Sequence, residues 1–533
     1  MKNSYLLRQG FACFLFFCST ASVVPGNTLS LVPSLPLGPV PASGITVRLE
    51  PFVQMPATYS SGLRARLSML RTDPVDTSVL WVNDQRGPLY RIRDGQVELF
   101  ANLADSFPHF VDSPGLGSGV QSFALHPAFA DNGRFYTVHT ESAAGRNPDY
   151  IGSEVSTTFA HGVVTEWVAD DPLASTFSGD SRELLRIAFP HQFHGIQEVA
   201  FNPNADEAHA DYGLLYITIG DGGAYNLDQS DDLMRLDGLY GTVLRIDPEG
   251  NDSRNEAYGI PADNPFVNHE NPEVWTEIYA YGFRNPHRIV FQPADQAEDP
   301  DSPYVFINEI GERNFEEVNL LIAGANYGWP WREGTYRFRG ESTAFRDYIY
   351  ELPLDDEDFG YTYPIAQWDR SPENGRAIGS GIFYGGQLIP ELKGHYIMAN
   401  IPEGELYHFP VDRVEAGTQT PVYEFLLETA NGFDRIEDRY SHSSRVDIRM
   451  GTDHDGEMLV MVKASGQIYR MVAATQRWHS FELLDGNWTD TGDLMGLIET
   501  GKAPWIYSQR LGQWFYWPAQ SKSSGEWIYV GKP

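Results

Sequence analysis

The chain has 533 residues, 42% of them hydrophobic, and carries 72 acidic against 38 basic side chains for a net charge of −34. That length and apolar content exclude a disordered chain and leave room for one large domain plus a small one. The charge excludes nucleic acid as a partner, because phosphates are repelled, and says nothing about the fold.

Residues 1–21 read as a secretory signal peptide: Lys2 and Arg8, an apolar stretch from Phe11 to Phe17, then Ser19-Thr20-Ala21. The apolar stretch is shorter than the roughly 20 residues a spanning helix needs, so the protein is expected to be secreted or periplasmic, bacterial, and not membrane-spanning. Both cysteines, Cys13 and Cys18, fall inside this signal, so the mature chain is expected to hold no disulfide and no thiolate site. Residues 22–45 are proline-rich and predict an extended linker.

Residues 46–473 repeat a weak two-part pattern. Its first half is seen in Phe123-Ala124-Leu125-His126-Pro127 before Arg134-Phe135-Tyr136, and in Phe201-Asn202-Pro203 before Leu215-Tyr216-Ile217. Its second half recurs as Gly87-Pro88-Leu89-Tyr90, Gly404-Glu405-Leu406-Tyr407 and Gly466-Gln467-Ile468-Tyr469. Strands this short, with no helical period between them, predict an all-β propeller, and Ile45 to Val53 is the strand expected to close its ring. The excursion from Trp331 to Gly379 has neither strand nor helix period and predicts a loop at one face.

The run from His191 to Pro330 concentrates the residue types that do chemistry. A strand at Leu214 to Ile219 breaks at Gly220-Asp221-Gly222-Gly223 into a loop holding Asp228, Asp231 and Asp232. The glycines permit positive φ and a close ligand approach; the carboxylates are hard oxygen donors suited to calcium, and equally suit a solvated turn. Around this loop lie His194-Gly195-Ile196-Gln197, Gly282-Phe283-Arg284-Asn285-Pro286, Glu316-Glu317-Val318-Asn319 and Asn326-Tyr327-Gly328-Trp329-Pro330.

In order and spacing these blocks resemble the soluble quinoprotein glucose/sorbosone dehydrogenases, and the similarity runs from about Ser78 to Met471. The resemblance implies a six-bladed β-propeller, a quinone-dependent oxidoreductase acting on an aldose or related sugar with pyrroloquinoline quinone (PQQ), calcium and an electron acceptor. It implies His194 as general base, and Gly220, Asp221, Gly222, Arg284 and Arg445 around the quinone. Asp221, Asp228, Asp231 and Asp232 would hold calcium, Glu309 and Glu317 a second, structural one, and Tyr336 or Trp329 would line the sugar pocket. The chain departs from the family pattern at Ala224-Tyr225, where glucose-oxidising members carry Arg-Asn, at Pro402 in place of a lysine, and at Asp447 in place of an arginine, with Arg449 nearby. Two other readings stay open: a non-catalytic propeller that binds a glycan or protein, and a calcium-dependent lactonase or hydrolase in which Asp221 grips the metal.

Residues 474–533 change character. Trp505-Ile506-Tyr507, Trp514-Phe515-Tyr516-Trp517 and Trp527-Ile528-Tyr529-Val530 predict three aromatic strands of a small β module, similar to aromatic repeats appended to secreted bacterial proteins. Their rings either pack one small core or form a platform for polysaccharide or the cell envelope.

Overall fold

Short strands rich in β-branched and aromatic residues, each ended by a glycine, proline or Asx turn, fold locally into meanders that must stack to bury their faces. The computed structural model describes residues 30–531 except 34, 61, 114–116, 154, 156, 226–232, 339–347, 371–376, 430–431, 435, 437–444, 475–476, 479–480, 485–486, 494, 503–504 and 517–528. Five four-stranded antiparallel blades span residues 67–102, 122–189, 196–281, 286–369 and 378–429. A sixth blade joins three strands of residues 448–473 to Ala42–Gln54, the first long strand of the chain.

The innermost strands are Leu67–Thr72, Ser122–Leu125, Ile196–Phe201, Pro286–Phe291, Ile378–Phe383 and Ile448–Thr452; each abuts the next, and the last abuts the first. The sheets therefore form a closed six-bladed ring. Residues at the N-terminal ends of these strands line one mouth of the axis, and residues toward their C-terminal ends line the other.

Closure rests on Ala42–Gln54, which pairs antiparallel with Gln467–Ala473 and parallel with Tyr423–Thr429. Val47 is fully buried and Leu49 is 5% exposed; burying each such side chain contributes about 1.5–3 kcal/mol. Between blades one and two the seam is aromatic: Trp81 meets Phe129 edge-on at 5.7 Å, and Phe100 meets Phe135 at 6.1 Å.

Three segments differ from expectation. The excursion after Trp331 is not all loop: Arg332–Glu333, Tyr336–Phe338 and Ile349–Tyr350 form a small sheet, and Ala366–Asp369 is the outer strand of blade four. Part of the proline-rich stretch is tied down, since Leu31 bridges to Tyr350 and the N–H groups of Leu37 and Gly38 donate to Asp369. After residue 476 the chain forms a seven-stranded meander rather than three strands, with four short strands ahead of Trp505–Ser508, Gln513–Tyr516 and Tyr529–Gly531. One face of that sheet packs Met495, Ile498, Ile506 and Phe515 into a small core. Trp505, Tyr507, Trp514 and Tyr516, alternating with those positions, stay partly exposed on the other face, where Trp505 meets Tyr516 and Tyr507 meets Trp514 at 5.3 and 5.2 Å. Among the described residues no helix is long and apolar enough to cross a membrane.

Candidate active site

At the mouth formed by the N-terminal ends of the inner strands lies a cavity of about 250 Å³. His194 reaches it from the turn before the inner strand of blade three, with φ of 57°, a left-handed conformation that non-glycine residues rarely adopt. The Gly-Asp-Gly-Gly turn packs directly behind it. A Cβ on Gly220 would stand 2.5 Å from the His194 carbonyl oxygen and 2.7 Å from its Cβ, so only glycine fits there.

The turn presents Asp221 to the imidazole. Its Oδ1 lies 2.7 Å from His194 Nδ1 and accepts the Gly223 N–H at 2.9 Å, while Oδ2 accepts the Trp329 indole N–H at 3.2 Å. Burial pushes the Asp221 carboxyl up, but its interactions with His194, including the hydrogen bond, and the charge of Arg284 outweigh it and hold the group below its usual range. An ionised carboxylate only accepts, so Nδ1 carries the proton and Nε2 is left as the acceptor. Burial and then the Arg284 guanidinium lower the His194 pKa, Asp221 pulling the other way, so the ring is neutral near pH 7.

Asp221 therefore stands behind His194 rather than open to a cation: it is 1% exposed and its oxygens accept three protein donors. In its expected role as a calcium ligand Asp221 would have to use its fourth lone pair or give up one of these three bonds. The expected partners Asp228, Asp231 and Asp232 lie outside the described residues. Among the described residues, no three His, Cys, Asp or Glu side chains gather as metal ligands. Glu309 and Glu317 are nevertheless directly opposite one another on neighbouring strands. Asn319 Nδ2 donates to both, at 3.0 and 3.4 Å, and Asn319 Oδ1 beside them is buried without a partner. Burial drives Glu317 up to about 7 and Glu309 well above its ordinary range, an arrangement of oxygens that a hard cation would relieve.

Of the other expected residues, Gly220 and Gly222 shape the turn. Arg284 lines the cavity with its guanidinium held by Glu312 and the Ile310 carbonyl. Arg445 lines it as well and pairs with Asp447 at 2.7 Å. Trp329 is buried behind Asp221, and Tyr336 stacks on Phe315 at 5.2 Å; neither borders the cavity.

Sequence reasoning missed Arg66, Arg370 and Lys463, and named Arg449 only as a neighbour of Asp447. All four also line the cavity, with His287. Arg370 pairs with Glu316 at 3.0 Å. Arg66, by contrast, donates to the carbonyls of Asp112 and Ser118, Arg449 to that of Ile448, and Lys463 to the side-chain oxygen of Gln85 at 2.9 Å. Arg449 Nε and His287 Nε2 are buried with no partner. The faint signal is positional: each cation stands at, or one residue from, the axial end of an apolar strand.

Residues 72–470 match the model of the Glucose / Sorbosone dehydrogenase family. The HIPL2 protein of Arabidopsis thaliana is 29% identical over 320 residues, covering 53% of this chain and 42% of that protein. The chain thus spans less than half the length of this relative. Among solved structures, the soluble aldose sugar dehydrogenase of Escherichia coli in its apo-form superposes with a TM-score of 0.56 at 21% identity, covering 80% of this chain and 99% of that one. The PQQ-bound aldose sugar dehydrogenase of Streptomyces coelicolor superposes with a TM-score of 0.51 at 17% identity, covering 82% and 100%.

Proposed function

The chain belongs to the glucose/sorbosone dehydrogenase family, and from that premise we propose that it is an exported oxidoreductase that oxidises an aldose or related sugar with PQQ. The observation that carries this reading is the buried Asp221–His194 pair facing a cation-lined axial cavity. Export follows from the signal-like residues 1–21.

The cavity suits a polyanionic planar cofactor. Its lining holds six Arg or Lys side chains against one carboxylate, that of Asp447, and two of its buried nitrogens lack partners. A bound quinone would supply the hydride acceptor. Arg449, Lys463 and Arg66 would hold its acid groups near blades six and one, opposite blade three, where His194 stands. The chain's own chemistry is proton transfer: His194 Nε2 takes the proton of the sugar hydroxyl as its carbon gives up hydride. Asp221 fixes the tautomer and stabilises the imidazolium that forms, while Gly223 and Trp329 hold Asp221 in place. For calcium, the residues that fit are Glu309, Glu317 and Asn319, where the ion would serve the fold.

The test is reconstitution of the purified chain with calcium and PQQ, followed by dye reduction across a panel of aldoses. Sugar-dependent reduction that disappears in His194→Ala supports the reading. Absence of both quinone absorbance and dye reduction removes it, and retention on immobilised glycan would then select the non-catalytic binding propeller.

A further inference from the structure

Six cations line the axial cavity, and they divide into two classes. Arg284, Arg370 and Arg445 each have a carboxylate, respectively Glu312, Glu316 and Asp447. Arg66, Arg449 and Lys463 are 6%, 6% and 4% exposed and bond only neutral oxygens, with no carboxylate in ion-pair range among the described residues. Taking charges out of water without a direct ion pair is costly, and Asp447, whose charge reaches all three, is already paired with Arg445. Paired cations gain little from a further anion, whereas unpaired ones gain most.

The two classes also differ in position. Arg66 precedes the inner strand of blade one, Arg449 lies in the inner strand of blade six, and Lys463 follows the next strand of that blade. Those blades adjoin at the ring closure, so the unpaired set forms a single patch, across the axis from His194 of blade three. Pro402 and Asp447 stand where the family pattern expects cations.

We propose that Arg66, Arg449 and Lys463 are a polycarboxylate cradle, which replaces the cations missing at Pro402 and Asp447 and anchors the acid groups of the cofactor so that its other end faces His194. This rests on the quinone reading for the identity of the ligand; the cradle itself is an anion site defined by three unpaired buried charges.

The test is calorimetric titration of the full unliganded chain with two probes, PQQ and the quinone-free benzene-1,3,5-tricarboxylate. The variants are Arg449→Met, Lys463→Met and, as a control on a paired cation, Arg445→Met. Loss of one charge-assisted contact is expected to weaken PQQ binding ~10- to 100-fold in each of the first two and less than ~3-fold in Arg445→Met. A second readout is independent of affinity: without ligand, Arg449→Met should melt at or above the wild-type temperature, because an unpaired buried charge has been removed, while its ligand-induced rise is lost. Lys463→Gln, which keeps the polar contact to Gln85, serves if either methionine variant fails to fold. Wild-type binding of PQQ that survives unchanged in both variants overturns the cradle and leaves the quinone reading standing. Binding of the tricarboxylate, but not PQQ, that is lost in the variants supports the cradle and overturns the quinone reading. Binding of neither probe overturns the cradle.

Discussion

Replacing Asp221 by asparagine isolates the carboxylate's charge from its shape. Asp221 accepts from His194 Nδ1 and Gly223 N on one oxygen and from Trp329 Nε1 on the other. An amide has one oxygen, so either orientation sets an NH2 group against a donor. The orientation that keeps Oδ1 toward His194 and Gly223 retains two bonds and loses one. The variant then faces the Trp329 N–H with its own NH2, a buried conflict worth about 1–3 kcal/mol of stability. The imidazole keeps its tautomer but loses a charged partner. A charge-assisted bond contributes about 1.5–3 kcal/mol against 0.5–1.5 for a neutral one, so imidazolium formation is disfavoured by about 1–1.5 kcal/mol, or roughly tenfold in kcat/KM. Because Asp221 raises the His194 pKa against burial and Arg284, its neutralisation also moves the acidic limb of the pH profile downward. The assay is dye reduction by the reconstituted enzyme from pH 4.5 to 8, with urea unfolding as the measure of stability. An Asp221→Asn variant with unchanged kcat/KM and an unmoved acidic limb would refute the assigned pairing.

Other outcomes follow from the same geometry. Burial and then the Arg449 charge lower the Lys463 ammonium well below its ordinary value; an anion favours its charged form, so PQQ affinity measured by titration should fall as pH rises and the ammonium loses its proton. Glu317 is raised to about 7 by burial, so its protonated form contributes stability that is complete below its unfolded value near 4.5 and lost as pH rises through 7. Melting temperature in chelator should therefore drop between pH 5 and 8, calcium should restore it, and Glu317→Gln should reduce the pH dependence, leaving the share of Glu309 and Glu316, and abolish the calcium response. Leu49→Ala, on the closing strand at 5% exposure, should cost about 2–5 kcal/mol by urea midpoint. Trp505→Ala with Trp514→Ala should leave dye reduction unchanged and abolish retardation in polysaccharide-loaded native gels, if the partly exposed aromatic face is a glycan platform.

The ring and its chemistry were unequally legible. Turn residues and period-two strands announced the blades because both signals are local, and the His194 and Gly-Asp-Gly-Gly blocks stood out because each is contiguous. The function of Asp221 was not visible. It depends on a left-handed His194 and on Trp329, 108 positions away, so a carboxylate in a glycine turn looked like a calcium ligand. The cation set was hidden for a related reason: residues 66, 449 and 463 share no spacing and meet only because blade six adjoins blade one. The small sheet after Trp331 escaped notice because two of its strands are two residues long, too short for any period to show.

Closing the ring with Ala42–Gln54 imposes an order of events. A chain synthesised from its N-terminus delivers this strand first and its partner Gln467–Ala473 after all the other blades, so until the last blade emerges it waits with an open hydrogen-bonding edge. Its own composition guards the interval: Pro51 cannot donate, the ladder slips between Pro51 and Val53, and Arg48 with Glu50 puts charge on the outer side. A strand that must arrive early and dock late is made a poor template for strangers, which lets a protein of this size reach its final topology without a neighbour completing the ring in its place.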